Sequence, residues 1–370
     1  MRIETRPKKI FQKIHKWIED ARPIQPAKEL FAQDKPFSDF LSPEDSFFWS
    51  CPGFEKEVTV FLMKEGALGV GLWLAPIAHE ILTESEITVR LQGLADVLSR
   101  IKNPDVSLQL IFDAEPETRI LNSGENANTF AQVIAQKRFD FLSEFASAPK
   151  HGLRLFKRRI LLTLRVAADN PLQREESTLL NSAEQVAAER SFAKRTATVT
   201  ECLANLNGCL VAGGFAPRNL TRDELLYFLR DTLHAKSLRT SAQSRHTLPS
   251  KFNASLSSQV LYHSVQMTPY ALGLGCGEEA WQAASLLDLP ETTTPGILAK
   301  LLALKVPHRI VVNIRPVVKT NDLDTKRYLL KNAEDAYGLR QVEDISAAQT
   351  RMTREEGLLA FSLHIFLRSE

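Results

Sequence analysis

The 370-residue sequence lacks the dipeptide on which a P-loop depends. None of its 16 glycines is followed by lysine. A Walker A loop needs Gly-Lys-Ser/Thr, because the backbone N–H groups of the loop hold phosphate while the lysine reaches the outer phosphates. The sequence therefore excludes a P-loop nucleotide site in this chain.

Cysteine is scarce, and histidine is dispersed. The four cysteines include no Cys-x-x-Cys pair, and none of the eight histidines lies in the spacing of a known metal motif. These absences exclude a disulfide scaffold and the common zinc sites. We expect no catalytic, cofactor-binding or metal-ligating residue in this chain, and the cysteine usage indicates a reducing cytoplasm.

The sequence also lacks a membrane-spanning run and a strong charge of one sign. The apolar run Gly66–Ala78 has 13 residues and contains Pro76, whereas a spanning helix needs about 20. The chain carries 46 Lys plus Arg against 44 Asp plus Glu. It therefore lacks the overall basic excess that is typical of DNA-binding domains.

The chain divides into three predicted segments. Residues 1–45 form a basic, proline-rich arm, in which the amphipathic stretch Lys8–Asp20 either packs on its own domain or rests on an anionic membrane surface. Residues 46–170 and 171–370 each alternate strand and helix patterns. The sequence thus predicts an α+β fold of two subdomains, with mixed sheets and long amphipathic helices.

A capping box predicts the first long helix of this fold. Thr83 and Glu86 have the required spacing, and the helix is expected to continue to about Ile101. The apolar positions expected to face the core are Ile87, Leu91, Leu94, Val97, Leu98 and Ile101.

Two further helices are predicted around a glycine pair. A long helix from about Thr178 is expected to end at Gly213-Gly214, where a left-handed C-terminal cap fits. Thr221 and Glu224 form a second capping box that starts the next helix. Residues 236–260 are rich in Ser, Ala and Gln, which favours a long connecting loop.

Alternating apolar residues predict the strands. A hairpin is expected within Glu57–Leu74. Further strands are expected at Val106–Phe112, Leu153–Ala168, Arg309–Val318 and Leu358–Leu367.

The glycine-rich run Gly273–Gly277 superficially matches a dinucleotide loop. Glu278 occupies the third glycine position, and acidic residues at a helix start would repel a pyrophosphate. The run is therefore interpreted as a turn between a strand and a helix.

A basic cluster lies along the predicted strand at 153–168. No acidic residue occurs between Lys150 and Arg165. The cluster is either a solvated strand edge protected from aggregation or a contact surface for nucleic acid or an acidic partner. The residues assigned to such a polyanion or partner contact are Lys150, Arg154, Lys157, Arg158 and Arg159.

Three carboxylates follow the strand that begins at Val106. Asp113, Glu115 and Glu117 lie where active-site acids often occur, just after a strand end. They form either a solvated acidic loop or part of an active site dispersed in sequence. Raised pKa values in an open pocket would favour the active site.

Several segments, taken in order, resemble the VirB/TraC-type ATPases of conjugative type IV secretion systems. Phe37–Leu41 followed by the hairpin Val58–Leu74 is similar to the opening of that family. The segments that continue the resemblance are Val106–Phe112, Thr198–Leu229, Tyr270–Leu274, Leu289-Pro290, Pro295–Leu298 and Ile310–Ile314.

The resemblance implies that the chain is the N-terminal domain of such an ATPase, continuing beyond residue 370 in a longer protein. In the family a RecA-like domain follows and holds ATP and Mg, so we expect neither cofactor nor ATPase activity here. The implied partners are inner-membrane type IV secretion proteins and further copies of the chain. The implied location is cytoplasmic and peripheral at the inner membrane. A nucleic-acid-binding module and an enzyme with a dispersed site stay open as alternatives.

Overall fold

The computed structural model describes most of the chain from residue 42 onward. The described ranges are 42–75, 82–116, 156–168, 182–234, 247–262, 266–267, 272–273, 280–286, 299–302, 306–317, 336–353 and 358–368, with isolated positions at 136–137, 139–142, 144, 304, 327–328 and 330. The predicted arm lies outside the described residues, apart from its last four positions.

Strands and helices alternate along the described chain. The strands are β1 (Pro43–Trp49), β2 (Val58–Met63), β3 (Leu68–Leu74), β4 (Val106–Pro116), β5 (Phe156–Val166), β6 (Arg218–Asn219), β7 (Gln266–Met267), β8 (Leu272–Gly273), β9 (Ala280–Ser285), β10 (His308–Val317) and β11 (Leu358–Arg368). The helices are α1 (Glu84–Ser99), α2 (Ser182–Ala212), α3 (Arg222–Leu233), α4 (Leu256–Val260), α5 (Ala299–Leu302) and α6 (Ala336–Thr353). The predicted α+β class is confirmed.

The described strands form one 11-stranded sheet. Its order is β1-β2-β3-β5-β4-β10-β11-β9-β8-β7, and β6 pairs with β3 outside this path. Strands from the predicted segments 46–170 and 171–370 meet where β4 pairs with β10. The boundaries at residues 45 and 170 stay predictions.

Each described ladder is antiparallel, whereas the sequence predicted mixed sheets. Helix α1 connects β3 to β4. The two strands run in the same direction, but β5 lies between them and pairs antiparallel with both. The arrangement is a split β-α-β unit.

Helices α1 and α2 cover one face of the sheet. The long apolar strands β2, β3, β4 and β5 bury alternate residues against Val97 of α1 and Leu203 and Leu210 of α2. The capping box at Thr83 is present as predicted. Gly214 ends α2 with φ of 73°, which confirms the predicted left-handed cap.

The prediction that the whole apolar face of α1 lies in the core is wrong at its first half. Ile87 is 36% exposed and Leu91 is 61% exposed. Helix α2 crosses α1 at Gly93, where a Cβ added to Gly93 would lie 2.7 Å from Gly213 Cα. Because α1 meets α2 at Gly93, the buried residues of α1 are Gly93 and Val97 rather than residues of its first turn.

Helices α3 and α4 cover the opposite face. Leu226, Phe228 and Leu256 pack against Leu161 of β5 and Ile111 of β4. The second predicted capping box, Thr221 with Glu224, starts α3. This helix brings its C-terminal end over the centre of the sheet.

Two strands differ from the sequence predictions. Strand β1 lies at the end of the predicted arm, and β9 follows the glycine run, where a turn into a helix was expected. The latter prediction is wrong because β9 pairs with β11, Trp281 opposite Arg368. Such pairing with a strand about 80 residues away overrides local preference.

Candidate functional site

On the face of the sheet that α3 covers, a carboxylate lies between two arginines. Asp113 on β4 lies directly opposite Arg159 on β5 and Arg309 on β10. Arg159 donates from Nε and Nη2 to Oδ2 at 2.9 and 2.6 Å. Arg309 donates from Nε and Nη2 to Oδ1 at 3.0 and 2.8 Å. Each carboxylate oxygen thus accepts two charge-assisted hydrogen bonds from one guanidinium.

Asp113 and Arg309 are largely excluded from solvent, so their charges interact strongly with one another. The side chain of Asp113 is 1% exposed and that of Arg309 is 8% exposed. Burial raises the pKa of Asp113, but the charges of Arg309 and Arg159 outweigh burial and hold this pKa below its ordinary value. Asp113 is therefore ionised at neutral pH, which weighs against a role as general acid. Its lowered pKa and the occupation of both its oxygens by arginines weigh against a role as general base.

Residues at the C-terminal end of α3 contact both arginines. The ring of Phe228 lies 4.3 Å from the Arg309 guanidinium carbon and 5.5 Å from that of Arg159. Asp231 accepts from Arg159 at 3.5 Å, and Thr232 Oγ1 accepts from Arg309 at 2.8 Å. The negative end of the helix dipole also favours cations here.

A third arginine extends the site toward β9. Arg368 pairs with Glu115 at 3.5 Å and donates to the backbone oxygen of His234 at 3.4 Å. The ring of Trp281 lies beside it, 5.6 Å from its guanidinium carbon, and Trp281 Nε1 donates to Thr232 O at 2.7 Å. We call the set Asp113, Glu115, Arg159, Asp231, Arg309 and Arg368 the ion cluster.

The ion cluster is electrically balanced. Its three arginines face three carboxylates. Burial lowers the pKa of Arg159, but Asp113, Glu115 and Asp231 outweigh it and raise this pKa above its ordinary value. An incoming anion would therefore have to displace an existing carboxylate, so the cluster is suited to joining β4, β5, β10, β11 and α3.

The predicted polyanion-contact residues are divided by the structure. The alternative, a solvated strand edge, is wrong because β5 is paired on both sides, with β3 and β4. Arg159 belongs to the ion cluster, whereas Lys157 and Arg158 are exposed. Arg158 donates to Leu302 O at 3.4 Å. Because side chains alternate along β5, Lys157 and Arg158 point to opposite faces of the sheet. Lys150 and Arg154 lie outside the described residues.

The predicted acidic group is divided as well. Asp113 and Glu115 are both in the ion cluster, and Glu117 lies outside the described residues. Sequence reasoning missed Arg309 and Arg368 as their partners. The available signal was that each arginine lies within an apolar strand pattern, where a buried charge needs a partner.

A second arginine site fixes the loop before α4. Arg222, on the first turn of α3, is 3% exposed and pairs with Asp45 of β1. Its guanidinium also donates to the backbone oxygens of Lys251 and Ala254 at 3.2 and 3.1 Å. The described part of the predicted long loop is therefore anchored to α3 and to the edge of the sheet.

Among the described residues, no three His, Cys, Asp or Glu side chains are grouped to hold a metal ion. No helix within those residues is long and apolar enough to cross a bilayer.

Comparison with known proteins gives no match, either to a family model or to a curated protein.

Proposed function

We propose that this chain is the N-terminal docking and assembly domain of a TraC-type ATPase in a conjugative type IV secretion system. The ordered resemblance of its segments to that family supports the proposal. In this proposal the chain has no RecA-like domain and does not hydrolyse ATP by itself. It consists of two subdomains that share one sheet.

The observation that favours a docking domain over an enzyme is the pairing of charges within the ion cluster. Its carboxylates are bound by arginines, and Asp113 has a lowered pKa. Catalytic acids and bases usually need pKa values moved toward neutrality. The cluster therefore supports a structural role, in which it holds a rigid sheet that presents surfaces to partners.

Exposed apolar side chains on the described surface are consistent with docking. Phe48 on edge strand β1 is 52% exposed and Phe252 is 53% exposed, with ring centroids 6.5 Å apart. The guanidinium carbon of Arg222 lies 4.8 Å from the Phe252 ring and fixes it from below. Partly exposed aromatic side chains on a fixed base are common anchors at protein interfaces.

The proposed partners are the inner-membrane proteins of the secretion system, which the chain would meet from the cytoplasm as a peripheral protein. The test is co-purification of the tagged chain with the inner-membrane proteins of a conjugative type IV secretion system, in mild detergent. We expect a stable complex, and no ATP hydrolysis by the purified chain. Absence of any complex, or ATP turnover that follows the pure chain, would contradict the proposal.

A nucleic-acid-binding module stays the second candidate because Lys157 and Arg158 are exposed at one end of β5. Single-stranded DNA labelled with a fluorophore tests it by anisotropy at low salt. Phosphate contacts would give an affinity that falls steeply as salt rises. No binding at low salt would remove this candidate.

A further inference from the structure

Helix α1 carries an apolar row that the core does not fully cover. Ile87, Leu91, Leu94 and Leu98 follow one another at spacings of four, three and four residues. Ile87 and Leu91 are 36% and 61% exposed, and Leu94 and Leu98 are half-buried. This is the spacing of the a and d positions in a helix that pairs with another helix. We call these four residues the seam.

The side of α1 next to the seam packs on α2, and Leu94 and Leu98 also touch the core there. Gly93 meets Gly213 in close backbone contact, and Val97 is 4% exposed. Arg90 Nη1 donates to Gly214 O at 2.8 Å. Because these contacts fix the rotation of the helix about its axis, the seam is held in one direction before any partner arrives.

The flanks of the seam allow a second helix to approach closely. Thr88 and Ala95 border it on the outer side, are both exposed and are both small. Glu86, Asp96 and Arg100 lie away from the seam at helical spacing. Arg90 borders it on the side of α2, where its guanidinium is bound to Gly214 O. A partner helix would thus meet a surface without a charge to desolvate at its centre.

We propose that α1 pairs with α1 of a second copy of this chain in antiparallel orientation. The seam is then self-complementary about a two-fold axis. Ile87 lies against Leu98 of the second copy, and Leu91 lies against its Leu94. This inference rests on the self-association that the proposed function includes, and it names the surface responsible.

Charge at the two ends of the seam favours the antiparallel arrangement over the parallel one. Glu84 is exposed at the start of α1, and Lys102 is exposed just after its end. Antiparallel pairing brings Glu84 of each copy toward Lys102 of the other, once at each end. Parallel pairing would place the two Glu84 carboxylates together, which is unfavourable.

The expected dimer is reversible. A seam of four apolar residues on a 16-residue helix gives an interface at the low end of the size range of specific complexes, below about 1,200 Å². Sedimentation velocity over a range of concentrations tests for the dimer. We expect a monomer–dimer equilibrium for the unchanged chain.

The matched variants differ only in the side of α1 that they change. Leu91→Glu places a charge on the seam and is expected to weaken the dimer by at least tenfold. Val89→Glu places the same charge on an equally exposed apolar residue, 55% exposed, on another side of the helix, and is expected to leave the dimer unchanged. Equal thermal melting of both variants shows that the fold is kept. A chain that stays monomeric at all concentrations, or a dimer that Leu91→Glu leaves intact, overturns the inference.

Disulfide trapping tests the orientation independently of stability. Chains with Leu91→Cys and chains with Leu94→Cys are mixed under mild oxidation, with the unchanged chain as control for its own cysteines. Antiparallel pairing predicts that the mixed disulfide exceeds either symmetric one, and a predominant Leu91→Cys homodimer overturns it.

Co-purification with the membrane partners, repeated with Leu91→Glu, separates the two proposals. If the Leu91→Glu variant no longer dimerises but still co-purifies with the membrane partners, the seam is supported and the docking proposal stands. If the unchanged chain does not co-purify with those partners, the docking proposal fails and the dimer inference is unaffected.

Discussion

Asp113 and Arg309 are 196 residues apart in sequence and form two buried hydrogen bonds across adjacent strands, 3.0 and 2.8 Å long. Each of the two residues occupies the ladder position directly opposite the other. The pair therefore joins the strand contributed by the first half of the chain to a strand of the second half. The cost of breaking it should be much larger than that of breaking a surface ion pair.

Removal of the central carboxylate should strongly destabilise the protein. Asp113→Ala leaves the buried Arg309 and the half-buried Arg159 beside one another without their shared partner. Breaking a buried ion pair in this way typically costs about 3–5 kcal/mol. Urea denaturation of the variant measures the change in the free energy of unfolding.

The matched control is the ion pair of Arg165 and Glu65, which are 2.8 Å apart with the arginine side chain 46% exposed. Arg165→Ala should cost at most about 1 kcal/mol, because exposed pairs contribute little. Equal losses in the two variants would show that the ion cluster has no special structural role.

The stability of the protein should fall at acidic pH through Asp113. Its pKa in the folded protein lies below the ordinary value of 3.8. A carboxyl with a lowered folded pKa stabilises the fold above its unfolded pKa, and that contribution is lost as pH falls toward the folded pKa. We expect the free energy of unfolding to decline as pH falls through and below the ordinary value.

The comparison protein for this pH dependence is Asp113→Asn, which cannot ionise at this position. Its unfolding free energy is lower at pH 7 and should change less with acid, because one proton-uptake step is gone. Parallel pH profiles for the two proteins would show that other carboxylates govern acid unfolding.

The contact between α1 and α2 should tolerate no side chain at Gly93. Gly93→Ala would place a Cβ 2.7 Å from Gly213 Cα, so the helices must separate. Such overpacking costs about 1–3 kcal/mol. Thermal or urea unfolding measures the loss.

Gly208 on α2 is the control for this substitution. A Cβ added to Gly208 meets no atom within 4 Å, and alanine favours a helix interior by roughly 0.5–1 kcal/mol over glycine. Gly208→Ala should therefore stabilise the protein slightly. If both variants changed stability in the same direction, the close approach of the two helices would be in doubt.

Arg222 should keep the loop before α4 in place. Arg222→Ala removes the donors to the backbone oxygens of Lys251 and Ala254. Hydrogen exchange should then become faster in residues 247–260 than in the rest of the chain. Arg218→Ala, which removes an arginine that is 61% exposed and paired with Glu224, should leave exchange in that segment unchanged.

Local sequence signals predicted the helix ends and the long strands well. The capping boxes at Thr83 and Thr221 and the glycine cap at Gly214 depend on residues within a few positions of one another. The predicted strand Leu358–Leu367 corresponds to β11, because the alternation of apolar residues is also a local property. These features need no information about the rest of the chain.

The candidate site could be anticipated only in part. Asp113 and Arg159 were both singled out by sequence, but for two separate roles, and Arg309 was not singled out at all. Their meeting depends on β4 lying between β5 and β10, which no local pattern reveals. Strand β9 was missed for the same reason, since its conformation depends on pairing with β11.

The sequence by itself determined the absence of a P-loop and the identity and ends of the main helices, because these follow from neighbouring residues. The tertiary structure decided the order of the strands, the neutralisation of Asp113 by two distant arginines, and the exposure of Leu91, which had been assigned to the apolar face of α1. The physical reason is that pairing and burial depend on which segments meet. That choice is made by the free energy of the whole packed sheet rather than by any single segment.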